Sequence, residues 1–410
     1  MEKSRCLIIY VTVEKGHIMM STPSKREYLS SIRIRYQTSR KGIKTMILNE
    51  FCRVCEYDRK YALRLLSNKP SRLSNLTRRK SGRPAVYYHP EILAFLKRLW
   101  IASNLACGKR LKAMIPLWLP FDDTGISQCT QNHLLRISAA TIDRLLTPLR
   151  SHYTKKGLAT TKPGSLLKKH IPIKTNQWDE RMPGFIEADT VAHCGTSMAG
   201  MFVFTLNTVD IATGWTEQRA LWGKGEQGVL AALKSIETAL PFSLKGFDCD
   251  NGSEFMNWTI LKHFQDRKRP VHYTRSREYQ KNDNAHIEGK NWTHIRQYLG
   301  YDRFEDQRMV ALMNNLYTSE WRLLFNFFLP SVKLLAKERI KSKTIKHFDI
   351  PKTPLQRLWE SNAVSQNTKD ELQLLFKTLN PFTLQKIMSK KIRIILQLAT
   401  PWNKYVKLSA

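Results

Sequence analysis

Long apolar runs are missing from this chain. No stretch of about 18 apolar residues occurs, so no ordinary membrane-spanning helix is expected. The early run Cys6-Leu7-Ile8-Ile9-Tyr10-Val11 is short and lacks a cleavage-like context, so it does not read as a signal peptide. Acidic residues are scarce: 34 Asp and Glu stand against 67 Lys and Arg, a net charge of +33 and a pI near 10.0. So basic a chain calls for a polyanionic partner, with nucleic acid the default. Cysteine is sparse and odd in number, seven residues with no regular framework, which suggests a reduced, cytoplasmic protein without disulfides. The pair Cys52-x-x-Cys55 has no second pair or His pair nearby to complete four zinc ligands. No Gly-x-x-x-x-Gly-Lys segment occurs, so no ATP-driven step is implied.

What is present is organised in blocks. With 410 residues, about three domains are expected. Residues 1–24 read as a flexible arm, with Met19 and Met20 as possible later starts. Residues 25–68 read as a three-helix unit. Tyr28, Ile32 and Tyr36 mark one helix; Ile43, Ile47, Leu48 and Phe51 mark a second. Glu56-Tyr57-Asp58 forms the turn before a basic third helix carrying Arg59, Lys60 and Arg64, which fits helix-turn-helix docking in a major groove. Residues 69–87 form a basic linker in which Arg79 and Arg83 are candidate phosphate or minor-groove contacts. Residues 88–150 repeat the helical theme. Ile92, Phe95, Leu96 and Leu99 form one stripe, and Pro116 is expected to end or kink the next element. A Ser138-capped helix then faces Thr141 and Arg144 outward as a second helix-turn-helix. Residues 151–183 are a Lys-rich linker. The charge is front-loaded: residues 1–180 carry 34 basic and 12 acidic residues.

Residues 184–300 carry the chemistry. Apolar runs suggest strands at 185–191, 201–210, 214–221, 245–249 and 271–274, with helices near 226–240 and 257–267. Antiparallel strands first and strand-helix alternation later give a mixed five-stranded sheet with flanking helices. Asp189 and Asp250 end two of these strands, and Glu288 opens a helical segment. Hard Mg²⁺ or Mn²⁺ takes such oxygen ligands, and a pair of these ions can clamp both oxygens of a phosphoryl displacement. Neighbouring acids compete for the role. Asp248 shares the face of Asp250, Glu254 could cap the next helix, Asp283 lies in a loop, and Asp210 reads as a turn residue. Residues 301–410 read as a helical region, with the Trp321 to Phe328 aromatic cluster taken as packing rather than base stacking.

The segments Asp250-Asn251-Gly252-Ser253-Glu254-Phe255 and Lys281-Asn282-Asp283-Asn284-Ala285-His286-Ile287-Glu288, 37 residues separating the two acids, resemble the second and third acidic motifs of bacterial insertion-sequence DDE transposases. Those proteins have a retroviral-integrase-like, RNase H-like α/β core. The resemblance implies Asp189, Asp250 and Glu288 as catalytic residues holding two Mg²⁺ or Mn²⁺ ions. It implies cleavage and strand transfer on double-stranded DNA, multimers on that DNA, and a place at the bacterial nucleoid. It also makes Arg275, Arg277, Lys281, Asn284, His286 and Lys290 candidate DNA contacts. Two other readings stand beside it: a DNA-binding protein with an inactive core, and an RNase H-like nuclease without strand transfer.

Overall fold

The computed structural model describes residues 20–67, 86–150, 182–250, 252–275, 285–340 and 343–401. The basic linkers, together with Arg79, Arg83, Arg277, Lys281 and Asn284, lie outside or mostly outside these ranges. The chain divides into two units, Met1–Pro84 and Ala85–Ala410.

In the smaller unit, α1 (Thr22–Thr38), α2 (Lys41–Cys55) and α3 (Arg59–Ser67) follow the apolar spacing of the sequence. Ile32, Tyr36, Ile47, Leu48, Phe51, Cys55, Ala62 and Leu66 bury one small core. Glu56 ends α2 in the left-handed conformation, at φ 53°, and the Asp58 carboxylate accepts the Lys60 backbone N–H at 2.8 Å to start α3.

The larger unit begins with α4 (Pro90–Ala102), α5 (Gly108–Trp118), α6 (Gln128–Arg136) and α7 (Ala139–Arg150). Pro116 does not end α5 where expected. It sits in the last turn, and the helix runs on to Trp118 before a 3₁₀ turn at Leu119–Phe121. A proline there forfeits one backbone bond near an end already short of partners.

The sheet follows: β1 (Phe185–Ala192), β2 (Val203–Asp210), β3 (Thr216–Trp222), β4 (Gly246–Cys249) and β5 (His272–Arg275), in the order β3-β2-β1-β4-β5. β1 pairs antiparallel with β2 and parallel with β4. This mixed sheet, with α8 (Glu226–Ala239) and α9 (Trp258–Gln265) flanking it, is compatible with an RNase H-like core. All eight residues of β2 are buried, because both faces of the sheet are covered. On one face Ala188, Phe204, Leu206 and Phe247 pack with Val229 and Leu233 of α8. On the other lie α10 (Ala285–Lys290), a wide π turn at Asn291–Arg296 and α11 (Gln297–Leu299).

Beyond 300, α12 (Arg308–Leu316) continues into π turns at Tyr317–Trp321 and Leu324–Phe328. Trp321, Leu324, Phe325, Phe327 and Phe328 are all buried, so the aromatic cluster is packing. The helical expectation for 301–410 then needs correction: β6 (Leu334–Ile340) and β7 (Lys343–Phe348) form an antiparallel hairpin. Lys337, Arg339, Lys341 and Lys343 recur every second residue, which is a strand period rather than a helical one. The chain ends in α13 (Pro354–Glu360), α14 (Gln366–Thr378) and α15 (Pro381–Leu398).

One apolar cluster joins α4–α7 to these C-terminal helices. Trp118 Nε1 donates to the Phe328 carbonyl at 3.1 Å, and its ring meets Phe382 edge-on at 4.9 Å.

Candidate active site

Strand periodicity sets the site. Glu187 and Asp189 lie two apart on β1 and share a face; Asp248 and Asp250 do the same on β4 and just past its end. Glu187 pairs directly with Asp248 across the parallel strands. The result is four carboxylates in two ranks, Glu187 and Asp248 below, Asp189 and Asp250 above.

In the upper pair Asp250 lies just past the carboxyl end of β4, whereas Asp189, expected to end a strand, sits in the middle of β1, which runs on to Ala192. Burial, and next the charge of Asp250, push Asp189 up to about 7. Asp250 is also raised, by burial first and then by Glu254. Like charges held close in a partly desolvated place favour a proton or a cation. Asp189 accepts the Thr190 backbone N–H at 2.7 Å and the Asn291 amide at 2.6 Å. Asp250 accepts the Gly252 N–H at 3.0 Å. Gly252 keeps this loop tight, since a Cβ there would lie 2.9 Å from Asp250 Oδ1 and 2.7 Å from the Glu254 carboxylate.

Glu254 does not cap α9; Asn257 does, accepting the Ile260 N–H at 3.0 Å. Instead Glu254 takes the Thr190 hydroxyl at 2.7 Å and the Lys224 ammonium at 3.1 Å. Burial pushes Glu254 up, but its own backbone N–H, Thr190 and Lys224 outweigh it and hold it low. Lys224 thus brings a cation to the rim of the acidic pair. Asp210 is a turn residue, accepting Gly184 N–H at 2.8 Å and Thr213 N–H at 2.7 Å.

The lower rank anchors the helix of Glu288. The Glu187 carboxylate, 1% exposed, accepts the Ile287 N–H at 3.0 Å. Burial first, with Asp248 adding to it, raises Glu187 to about 8. Glu288 itself is exposed on α10. Among the described residues, no three His, Cys, Asp or Glu side chains converge closely enough to hold a metal ion. The structure therefore brings Asp189 and Asp250 together and leaves Glu288 outside their immediate group.

A row of amides links the strands to the helix. Asp189, Asn207 and Gln218 lie opposite one another across β1, β2 and β3. Gln218 Nε2 donates to Asn207 Oδ1 at 2.9 Å, Asn207 Nδ2 to Asn291 Oδ1 at 2.8 Å, and Asn291 Nδ2 to Asp189. Sequence reasoning missed Glu187, Lys224, Asn207, Gln218 and Asn291. For Glu187 the available signal was a carboxylate inside the apolar start of β1; the other four carry no such local mark.

The candidate DNA contacts fall as follows. Arg59, Lys60 and Arg64 are exposed on α3; Arg59 donates to Asn49, and Arg64 lies over the Tyr61 ring at 5.2 Å. On α7, Arg144 is exposed, whereas Thr141 is half-buried and accepts from Arg144 at 3.1 Å. Arg275 is half-buried at the end of β5. His286 and Lys290, four apart on α10, share a side of the helix away from Glu288. Burial, then Arg110, Arg357 and Lys333, lower Lys290 to about 7.

No protein family model matches the chain. Among solved structures, a chain of the simian T-cell lymphotropic virus intasome in complex with PP2A regulatory subunit B56 gamma aligns at 12% identity and a TM-score of 0.29, over 52% of this chain and 68% of that one. That likeness is too slight to carry an argument. The uncharacterized protein y4rM of Sinorhizobium fredii is 38% identical over 345 residues, which is 82% of this chain and 96% of its relative. On that relation, the chain belongs to the family of the uncharacterized protein y4rM.

Proposed function

We propose that this protein is a DNA transposase or integrase that binds the ends of a mobile element and performs metal-dependent cleavage and strand transfer. The observation that carries the reading is the pairing of Asp189, within β1, with Asp250, just past the end of the adjacent parallel β4, with the helix of Glu288 anchored on the carboxylate two residues before Asp189. The charge of +33 supports a polyanionic substrate.

The donor set suits a hard divalent cation, because two half-buried carboxylates that repel each other gain most from one. Asp189 and Asp250 would hold it, with Glu288 completing the set. A bound Mg²⁺ or Mn²⁺ would supply Lewis acidity and a nucleophilic water at neutral pH. The chain's own residues do the rest. Asn291 fixes the rotamer of Asp189, Glu187 fixes the helix of Glu288, and Lys224 meets the negative charge of a phosphodiester at the rim. Hydrolysis at the element end would free a 3′-hydroxyl, which then attacks a target phosphodiester with no covalent enzyme intermediate. Helices α1–α3 and α4–α7 would carry the end recognition as helix-turn-helix units, and multimers would form on DNA.

Asp250→Asn tests the reading: it should abolish Mg²⁺-dependent nicking of the DNA flanking the gene's own locus while DNA binding persists. Nicking by that variant removes Asp250 from the mechanism. The lack of a third converging ligand among the described residues favours, as the second reading, a DNA-binding protein with a silent core. Wild-type protein that binds but never nicks would establish that alternative.

A further inference from the structure

On the side of α10 away from Glu288 lies a concentration of positive charge that the proposed cleavage chemistry does not use. It draws on four separate elements: Arg110 of α5, Lys290 of α10, Lys333 just before β6, and Arg357 of α13. Their side chains are not loose surface cations. Arg110 Nε donates to the Pro330 carbonyl at 2.7 Å, and Arg357 Nη2 to the next carbonyl, Ser331, at 2.8 Å. Two guanidinium groups thus grip one turn from two helices. Lys333, two residues along, donates its Nζ to the Ile211 carbonyl at 2.6 Å and to that of Ala212. Lys290 has His294 Nε2 at 3.4 Å. All four residues are half-buried, so none of them is sealed from solvent.

Counter-charge there is thin. Asp349 is engaged by Arg357 at 2.5 Å and by the Lys333 backbone N–H at 2.6 Å. Asp210 is occupied by Gly184 and Thr213. Among the described residues, no carboxylate lies within ion-pair distance of Lys290 or Arg110. Lys290 and Arg110, half-buried with no carboxylate beside them, call for an anion from outside the chain. Arg110 spends only its Nε on Pro330, so its two terminal nitrogens beside the Lys290 ammonium suit the oxygens of a phosphate, while Arg357 and Lys333 add positive charge behind them. Bonds to main-chain carbonyls hold the cationic heads in place beforehand, which lowers the ordering cost of binding.

We propose that Arg110 and Lys290, with the charges of Lys333 and Arg357 behind them, form a phosphate crevice that seats one backbone phosphodiester of a nucleic-acid strand. This rests on the DNA-processing reading above and adds a named contact to it. Free phosphate has the same oxygens; the strand is favoured by the chain's overall charge and by the crevice sharing a helix with Glu288.

The test uses the full chain and a labelled 30-base-pair duplex in EDTA, so that no cleavage intervenes. Affinity is read by fluorescence anisotropy from about 50 to 300 mM NaCl. Losing one phosphate contact lowers the slope of log K against log salt by about 0.9, which is about eightfold in affinity at 0.1 M salt. Lys290→Gln and Arg110→Gln should each show that loss, Lys290→Arg should largely restore it, and Lys234→Gln, an exposed control on α8, should leave the slope unchanged. Melting temperatures with and without inorganic phosphate, at matched ionic strength, form the second arm. An unchanged slope in both crevice variants overturns the proposal, even if Asp250→Asn still abolishes nicking. Phosphate-dependent stabilisation lost in Lys290→Gln, with duplex binding intact, overturns the strand in favour of the free ion. The expected slope loss in a protein that never nicks DNA leaves the crevice standing and removes only the cleavage reading.

Discussion

Glu187 is the most fully buried of the site's carboxyl groups, and its charge should be measurable as a pH-dependent stability. It holds a proton up to about pH 8 in the folded protein, against 4.5 for a free glutamate. Below pH 4.5 it is protonated in both states and costs nothing. As pH rises through the intervening 3.5 or so units, the unfolded chain releases that proton and the folded chain does not. Stability is therefore lost progressively towards pH 8, at about 1.4 kcal/mol per pH unit and about 5 kcal/mol in all. Glu187→Gln keeps an oxygen for the Ile287 N–H and has no charge to bury. The variant should match or fall slightly below the parent at pH 5 and exceed it by several kcal/mol at pH 8. Urea unfolding followed by tryptophan emission is suited to this, because all ten tryptophans lie beyond residue 84 and report the larger unit alone. A stability difference between variant and parent that stays constant from pH 5 to 8 would refute the reasoning.

Other outcomes follow from the same geometry. Asn291→Ala should leave DNA binding intact and cut nicking about 10- to 100-fold, the usual effect of losing a group that orients a metal ligand; steady-state cleavage assays read it. Mg²⁺ at ten times its dissociation constant should stabilise the protein by about 1.4 kcal/mol at pH 8. Asp250→Asn should abolish that gain in thermal melts, whereas loss of the gain only in a surface-acid variant would place the ion elsewhere. Trp118→Ala should cost about 3–5 kcal/mol, since it empties a site walled by Phe328 and Phe382 and orphans the Phe328 carbonyl; chemical unfolding measures it. Glu254→Gln should weaken the hold on Lys224 and shift the pH dependence of cleavage without abolishing it.

The strands of the sheet were legible because apolar runs with an acid at the end have few other readings. Asp250 fits that reason; Asp189, which the sequence also marks as a strand end, lies in the middle of β1. Which of two acids two residues apart faces a partner was not legible: Glu187 and Asp189 share a face, and only the packing of α10 assigns them different tasks. Asn207 and Gln218 were hidden by their surroundings, since a polar residue in a buried strand gains meaning only from the neighbour it meets. Asn291 needed the π turn after Lys290, a local widening that apolar spacing does not announce. The hairpin of β6 and β7 was misjudged because its basic residues were weighed as charge and not as period. The crevice cations lie on elements distant in sequence, and no local pattern joins Arg110 to Arg357.

The shared burial of Trp118, Phe328 and Phe382 has a practical consequence for anyone cutting this protein into pieces. A fragment trimmed to residues 184–300 would carry none of these rings and would bare Trp215, Ile295 and Leu299, which belong to the same cluster, and a fragment ending at 150 would expose Trp118. Either piece should precipitate or swell. Expression from Ala85 onward preserves the seam whole, and the evolution of this chain by swapping its middle alone would meet the same obstacle.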